Sequence, residues 1–216
     1  MELELLNTSV VVIAQDHNPT ILHPAFLTSQ EIVPEDWQVA DVPLCTPAFS
    51  LAKYKNGITF NVESNRLVVT EEKTAGNPEN SKIAELAISY AKKLPHVRYK
   101  ATGVNFNGFC LCKDPEQFLI ARFLREGPWN DEPQPMKALG TRFLYAIEGA
   151  VLRFGLDGGQ VNRGGEPEPA ILVSGNFHVE LPNEKPLEAL ERLLSRWSER
   201  RDQFARMCTM ILGMEQ

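Results

Sequence analysis

An Asn-Gly pair at residues 56 and 57 lies between two runs of alternating apolar residues, and this leaves little choice of local fold. Asn and Gly both tolerate the positive φ that a tight hairpin turn demands, so the chain reverses there. Phe49 and Leu51 precede the turn, and Ile58, Phe60 and Val62 follow it at a period of two. A second turn at Glu63-Ser64-Asn65-Arg66 leads into Leu67, Val68 and Val69. The sequence therefore predicts a three-strand antiparallel meander over 48–70.

The rest of the chain is read from the same local signals. Ser9 to Ala14 form a buried strand that ends in Asp16-His17-Asn18-Pro19. Five prolines between 19 and 47 favour extended, irregular chain, with short edge strands around 20–22 and 37–40. Asn77-Pro78-Glu79 opens a helix as cap, first-position proline and dipole-favoured acid; Ile83, Leu86, Ala87, Tyr90, Ala91 and Leu94 continue it to Pro95. Asp114-Pro115-Glu116-Gln117 repeats that grammar, and Gly127-Pro128 stops the second helix.

Between the helices lies a strand over 97–109. Its apolar phase flips at Gly103, as a β-bulge would cause. Residues 127–137 form a Pro-rich connector. Residues 141–156 and 170–181 alternate and predict two more strands, with the Gly-rich stretch 157–169 as a mobile hairpin tip. A single long helix is expected from Asn183 to about Leu212, with Leu187, Leu190, Leu194, Trp197, Phe204, Cys208 and Ile211 on its apolar side. Hairpins with helices set between and after them indicate an α+β fold. The expected architecture is a largely antiparallel sheet with helices packed on one face and a long C-terminal helix. At 216 residues the chain fits one domain, 1–216, or two joined halves, 1–94 and 95–216.

Charge and cysteine usage narrow the function. The net charge is −6, and the first 52 residues hold seven acids (Glu2, Glu4, Asp16, Glu31, Glu35, Asp36, Asp41) without one Lys or Arg. That asymmetry argues against nucleic-acid binding, which needs a basic footprint. It suits either a solubilising surface or a face that docks on a basic partner. The longest purely apolar run is Val10 to Ala14, too short for a membrane span, and Glu2 and Glu4 stand where a signal peptide carries Lys or Arg. The expectation is a cytoplasmic chain with no membrane partner.

Cys45, Cys110, Cys112 and Cys208 are sparse for a disulfide scaffold, and the Cys110-x-Cys112 pair finds no second ligand pair for zinc. No metal and no cofactor is expected. The phosphate-loop, dinucleotide, zinc-protease and nucleophile-elbow motifs are all missing.

Polar residues on strand faces remain. With Ile171, Val173, Phe177 and Val179 toward a core, Ser174, Asn176, His178 and Glu180 share the opposite face. Arg142 and Glu148, and Thr102 or Asn105, are candidates to join them. His178 and Glu180 at i, i+2 could orient an imidazole as a general base; the alternative is a solvated sheet face. His17, His23 and His96 sit in turns and read as surface residues. Arg192, Arg196, Arg200 and Arg206, interleaved with acids, read as a solvated helix face.

The segment Pro95-His96-Val97-Arg98-Tyr99-Lys100-Ala101-Thr102-Gly103-Val104-Asn105-Phe106 resembles a strand that recurs in an uncharacterised family of bacterial proteins. The Asn176-Phe177-His178 strand before a terminal helix is similar to the end of the same family. The resemblance spans about half the chain. It implies a cytosolic bacterial α+β protein and carries over no catalytic residue. The expected function is thus a non-enzymatic binding or interaction module, acting on a protein partner or as a homodimer. The alternative is a small hydrolase-like enzyme using His178 and Glu180.

Overall fold

The computed structural model describes residues 1–72, 81–125, 127–130 and 136–214. Nine strands hydrogen-bond in the order β2-β3-β4-β5-β1-β6-β9-β8-β7. They are β1 (Glu4–Gln15), β2 (Leu44–Cys45), β3 (Phe49–Lys53), β4 (Ile58–Glu63), β5 (Arg66–Glu72), β6 (Arg98–Leu111), β7 (Thr141–Ile147), β8 (Ala150–Val161) and β9 (Glu168–Glu180). The helices are α1 (Pro24–Ser29), α2 (Ile83–Lys93), α3 (Pro115–Phe123), α4 (Pro186–Leu194) and α5 (Trp197–Leu212). The fold is α+β on an antiparallel sheet. Two compact units make up the chain: Met1–Leu6, Phe106–Asn176 and Gln203–Gln216 in the first, Asn7–Asn105 and Phe177–Asp202 in the second.

In the second unit the expected meander is present as β3, β4 and β5, turning at Gly57 with φ 86°. Register places Ala52 opposite Phe60, Phe60 opposite Val69 and Val69 opposite Val10, and all four are buried. One row of side chains across four strands thus forms the core. The apolar stripe of α2, with Ile83, Ala87, Tyr90 and Ala91 fully buried, packs on β5 and on α4. The Tyr99 hydroxyl lies 3.0 Å from the Leu94 carbonyl and 3.1 Å from that of Ala91, and so ties β6 to the end of α2, where the same carbonyls also accept from the Val97 and Leu94 N–H groups. The Asn77 cap expected for α2 lies outside the described residues.

In the first unit β7 and β8 form a hairpin with Phe143 opposite Phe154. Phe123 of α3 meets Phe143, and Phe204 of α5 stacks on Phe106 and tilts against Phe154, so both helices cover one sheet face there. Asp114 caps α3 as expected, its carboxylate accepting from the Gln117 N–H at 3.1 Å. The helix ends at Phe123 rather than at Gly127.

Several expectations are corrected. The strand around 20–22 is a 3-10 turn, Pro19–Ile21, followed directly by α1. Each begins with a capping side chain and then proline: Asn18 accepts from the Thr20 N–H at 3.1 Å, and the His23 ring accepts from the Ala25 N–H at 3.2 Å. Proline at the first helical position forfeits no bond, so the Pro-rich stretch starts helices instead of excluding them. Near 37–40 the structure holds one bridge, Val39 to Tyr54.

Residues 141–156 are not one strand. They turn back at Glu148 (φ 46°) and Gly149 (φ 77°), a pair of left-handed residues that makes a two-residue hairpin loop. Two of the four glycines placed in a mobile tip, Gly158 and Gly159, are strand residues of β8, where an added Cβ would crowd Glu116 or Leu172 at 3.0 and 2.8 Å; Gly164 and Gly165 do lie in the tip. The tip itself is only 162–167, where the Asn162 side chain accepts from the Gly164 N–H.

The long C-terminal helix is two helices, α4 and α5. Ser195 bonds the Glu191 carbonyl through both its N–H, at 2.9 Å, and its Oγ, at 2.7 Å; the next bond tightens to i→i−3, from the Arg196 N–H to the Leu193 carbonyl at 3.3 Å, and the chain turns at 195–196. In β6 the buried parity moves from Tyr99 and Ala101 to Val104 and Phe106, through four consecutive buried residues, 101–104. The expected phase change at Gly103 falls within that run.

Candidate functional site

Parity along β9 follows the sequence expectation. Ile171, Val173 and Phe177 are buried, while Ser174 and Glu180 are exposed and Asn176 and His178 half-buried. Within the first unit the face opposite the helices can be followed across strands. Arg142 stands opposite Gly155, and the Ser174 hydroxyl lies 2.7 Å from where a Gly155 Cβ would be. The next row runs from Leu144 to Arg153, whose guanidinium donates to the Asn176 side-chain oxygen at 3.4 Å. Directly opposed residues share a face, so Arg142, Arg153, Ser174 and Asn176 come together. Leu144, 68% exposed, and Val151, 38% exposed, lie among them. This is a polar sheet surface centred on Arg153, open to solvent, with Leu144 and Val151 beside the arginine on β7 and β8.

His178 and Glu180 belong to the second unit. The His178 Nε2 lies 2.9 Å from a Glu180 carboxylate oxygen, with side chains 24% and 78% exposed. The carboxylate orients the ring, as the i, i+2 spacing predicts. Thr102 and Asn105 do not join this surface. Thr102 is buried and donates to the Val11 carbonyl at 3.0 Å, and Asn105 donates to Ser9 Oγ at 3.0 Å. Both hold β6 to β1. Glu148 sits in the β7–β8 turn.

His17 was expected at the surface and is instead buried. Its ring meets the edge of Tyr99 with centroids 6.1 Å apart. Desolvation holds its pKa below the ordinary 6.5; the Val12 backbone opposes that shift without reaching hydrogen-bonding geometry with either ring nitrogen. His23 and His96 are exposed. Cys110 and Cys208 are buried as small hydrophobes, Cys112 is half-buried and Cys45 exposed, all as free thiols. Burial pushes the Cys110 thiol up to about 11 and raises that of Cys208 as well, so neither is a ready nucleophile. Among the described residues no three His, Cys, Asp or Glu side chains gather as a metal site, and no helix is long and apolar enough to cross a membrane.

Three arginines of the last two helices are engaged locally, and Arg200, expected on a solvated face, is buried. Arg196 pairs with Glu199 and Arg201 with Asp202, and Arg200 lies 5.5 Å over the Phe177 ring.

One feature escaped sequence reasoning. The second unit holds a cleft of about 380 Å³ with Trp37, Ile32 and Leu86 against Glu31, Glu35 and Glu85. Glu31 adopts φ 57° in the residue after the α1 cap, where its N–H meets the Thr28 carbonyl and the Ile32 N–H meets that of Leu27. This is a Schellman motif with glutamate where glycine is usual. The absence of glycine hid the helix end from the sequence.

No protein-family model matches this chain, and no curated protein is similar to it at a significant level.

Proposed function

We propose that the chain is a non-enzymatic interaction module whose contact surface is the open face of β7, β8 and β9 in the first unit. The observation that carries this reading is the cluster of Arg142, Arg153, Ser174 and Asn176 beside exposed Leu144 and Val151. Interfaces are enriched in arginine alongside apolar contact area, and this surface combines the two. The acidic first 52 residues supply a second, oppositely charged region suited to a basic surface on a partner.

A photo-crosslinking residue at Ser174 tests the reading. Discrete adducts in extract of the source cells, lost on Arg153→Glu, support it. The absence of any adduct overturns it.

A second reading, a hydrolase-like enzyme, rests on the His178–Glu180 contact of 2.9 Å. It requires turnover of activated esters or amides that disappears in His178→Ala. Such turnover would displace the interaction module.

A further inference from the structure

β7 ends the strand order, so among the described residues one edge of its backbone has no strand beside it. The two-residue loop Glu148-Gly149 decides which backbone groups face that edge. A hairpin loop of this length is closed by a hydrogen-bonded pair, here Ile147 with Ala150. Bonded pairs alternate, so Tyr145 and Phe143 also bond to β8. The N–H and C=O of Arg142, Leu144 and Ala146 point outward. Sheet edges are usually blunted by proline, lysine, a bulge or an inward charge. Thr-Arg-Phe-Leu-Tyr-Ala-Ile has no proline or lysine, and Leu144 at its centre is 68% exposed.

We propose that β7 pairs antiparallel with β7 of a second copy of this chain, about a two-fold axis through Leu144. The inference goes beyond the interaction-module reading, because it uses the backbone edge of β7 and not the open face of the sheet. The strand complements itself in this register. Leu144 meets the partner's Leu144, and Phe143 meets the partner's Tyr145 on the face where Phe143 and Tyr145 already stack at 6.2 Å. On the other face Arg142 lies opposite the partner's Ala146, so the two arginines stand on either side of the Leu144 pair and not against each other. The two-fold repeats each of these contacts. A slip of one residue would put Arg142 on the aromatic face, and a slip of two would break the Leu144 pair.

Sedimentation velocity on the whole chain tests this. A seven-residue strand is below the standard interface size, so dimer should form between about 1 and about 100 μM. Leu144→Asp and Leu144→Lys each place like charges across the axis and should weaken dimerisation at least about tenfold. Because the side chain is exposed, both variants should keep the wild-type circular dichroism and melting temperature. If Leu144→Asp melts early, Leu144→Lys alone gives the same readout. An equimolar mixture of the two should recover the dimer, because the axis then joins opposite charges.

A wild-type monomer across the range overturns the pairing, as does a dimer that both variants leave unchanged. The Ser174 crosslink, placed on β9 and not on the β7 edge, reports separately on the interaction module. Adducts to other proteins from a monomeric chain refute the pairing and keep the module.

Discussion

Gly175 separates Ser174 from Asn176 on β9, and its missing side chain holds that strand against α5. A Cβ built there would lie 2.5 Å from Phe204 Cδ2 and 2.7 Å from Cε2. Ordinary carbon contacts begin near about 3.5 Å, so the ring would have to retreat by about 1 Å. It has little room to do so. Phe204 is 1% exposed, with Phe106 stacked on it at 5.3 Å and Phe154 tilted against it at 5.8 Å. Overpacking of this kind costs about 1–3 kcal/mol, and the lower chain entropy of alanine returns about 0.5–1 kcal/mol. A net loss of about 1–2 kcal/mol lowers Tm by about 2–8 °C in a chain of this size. Urea unfolding of Gly175→Ala, with an unchanged m-value, measures it. The mechanism further predicts that Phe204→Leu, destabilising by itself, partly relieves Gly175→Ala, with a favourable coupling of at least about 0.5 kcal/mol. A stable Gly175→Ala, or strict additivity in the double variant, would refute the reasoning.

Three further outcomes are expected. Because burial holds the His17 imidazole below 6.5, the unfolded chain binds more protons than the folded one just under that pH. Its contribution to stability is intact above pH 6.5 and falls away below it, by at most about 1.4 kcal/mol per pH unit; His17→Phe should flatten that slope in denaturant titrations at successive pH values. Glu31→Gly removes a left-handed glutamate at φ 57° and should stabilise the chain by about 1 kcal/mol in thermal unfolding; a destabilised variant would show that the carboxylate holds a contact worth more than the strain. Asp114→Ala deletes the cap of α3 and should cost about 1 kcal/mol, whereas Asp114→Asn should cost little, as read by chemical denaturation.

Legibility in this chain tracked the range of the interaction involved. Asn56-Gly57 and Asp114-Pro115 act within a few residues, and both did what their chemistry dictates. Asn18-Pro19 and His23-Pro24 speak the same language. They are hidden by the prolines around them, whose density favours irregular chain over helix. The alternation of β9 was equally plain, since the period of two assigns Ser174 and Asn176 to one face before any neighbour is known.

The sequence by itself determined where the strands turn, which residues of β9 face outward and where α3 begins, because these follow from φ preferences, capping and pleat. Only the tertiary structure decided that Arg142 and Arg153 share a face with Ser174 and Asn176, that Gly158 and Gly159 are strand residues beneath Glu116 and Leu172, and that His17 is enclosed near Tyr99. Each of these depends on a partner tens of residues away. Local chemistry sets the direction of a side chain, and strand register sets what it meets.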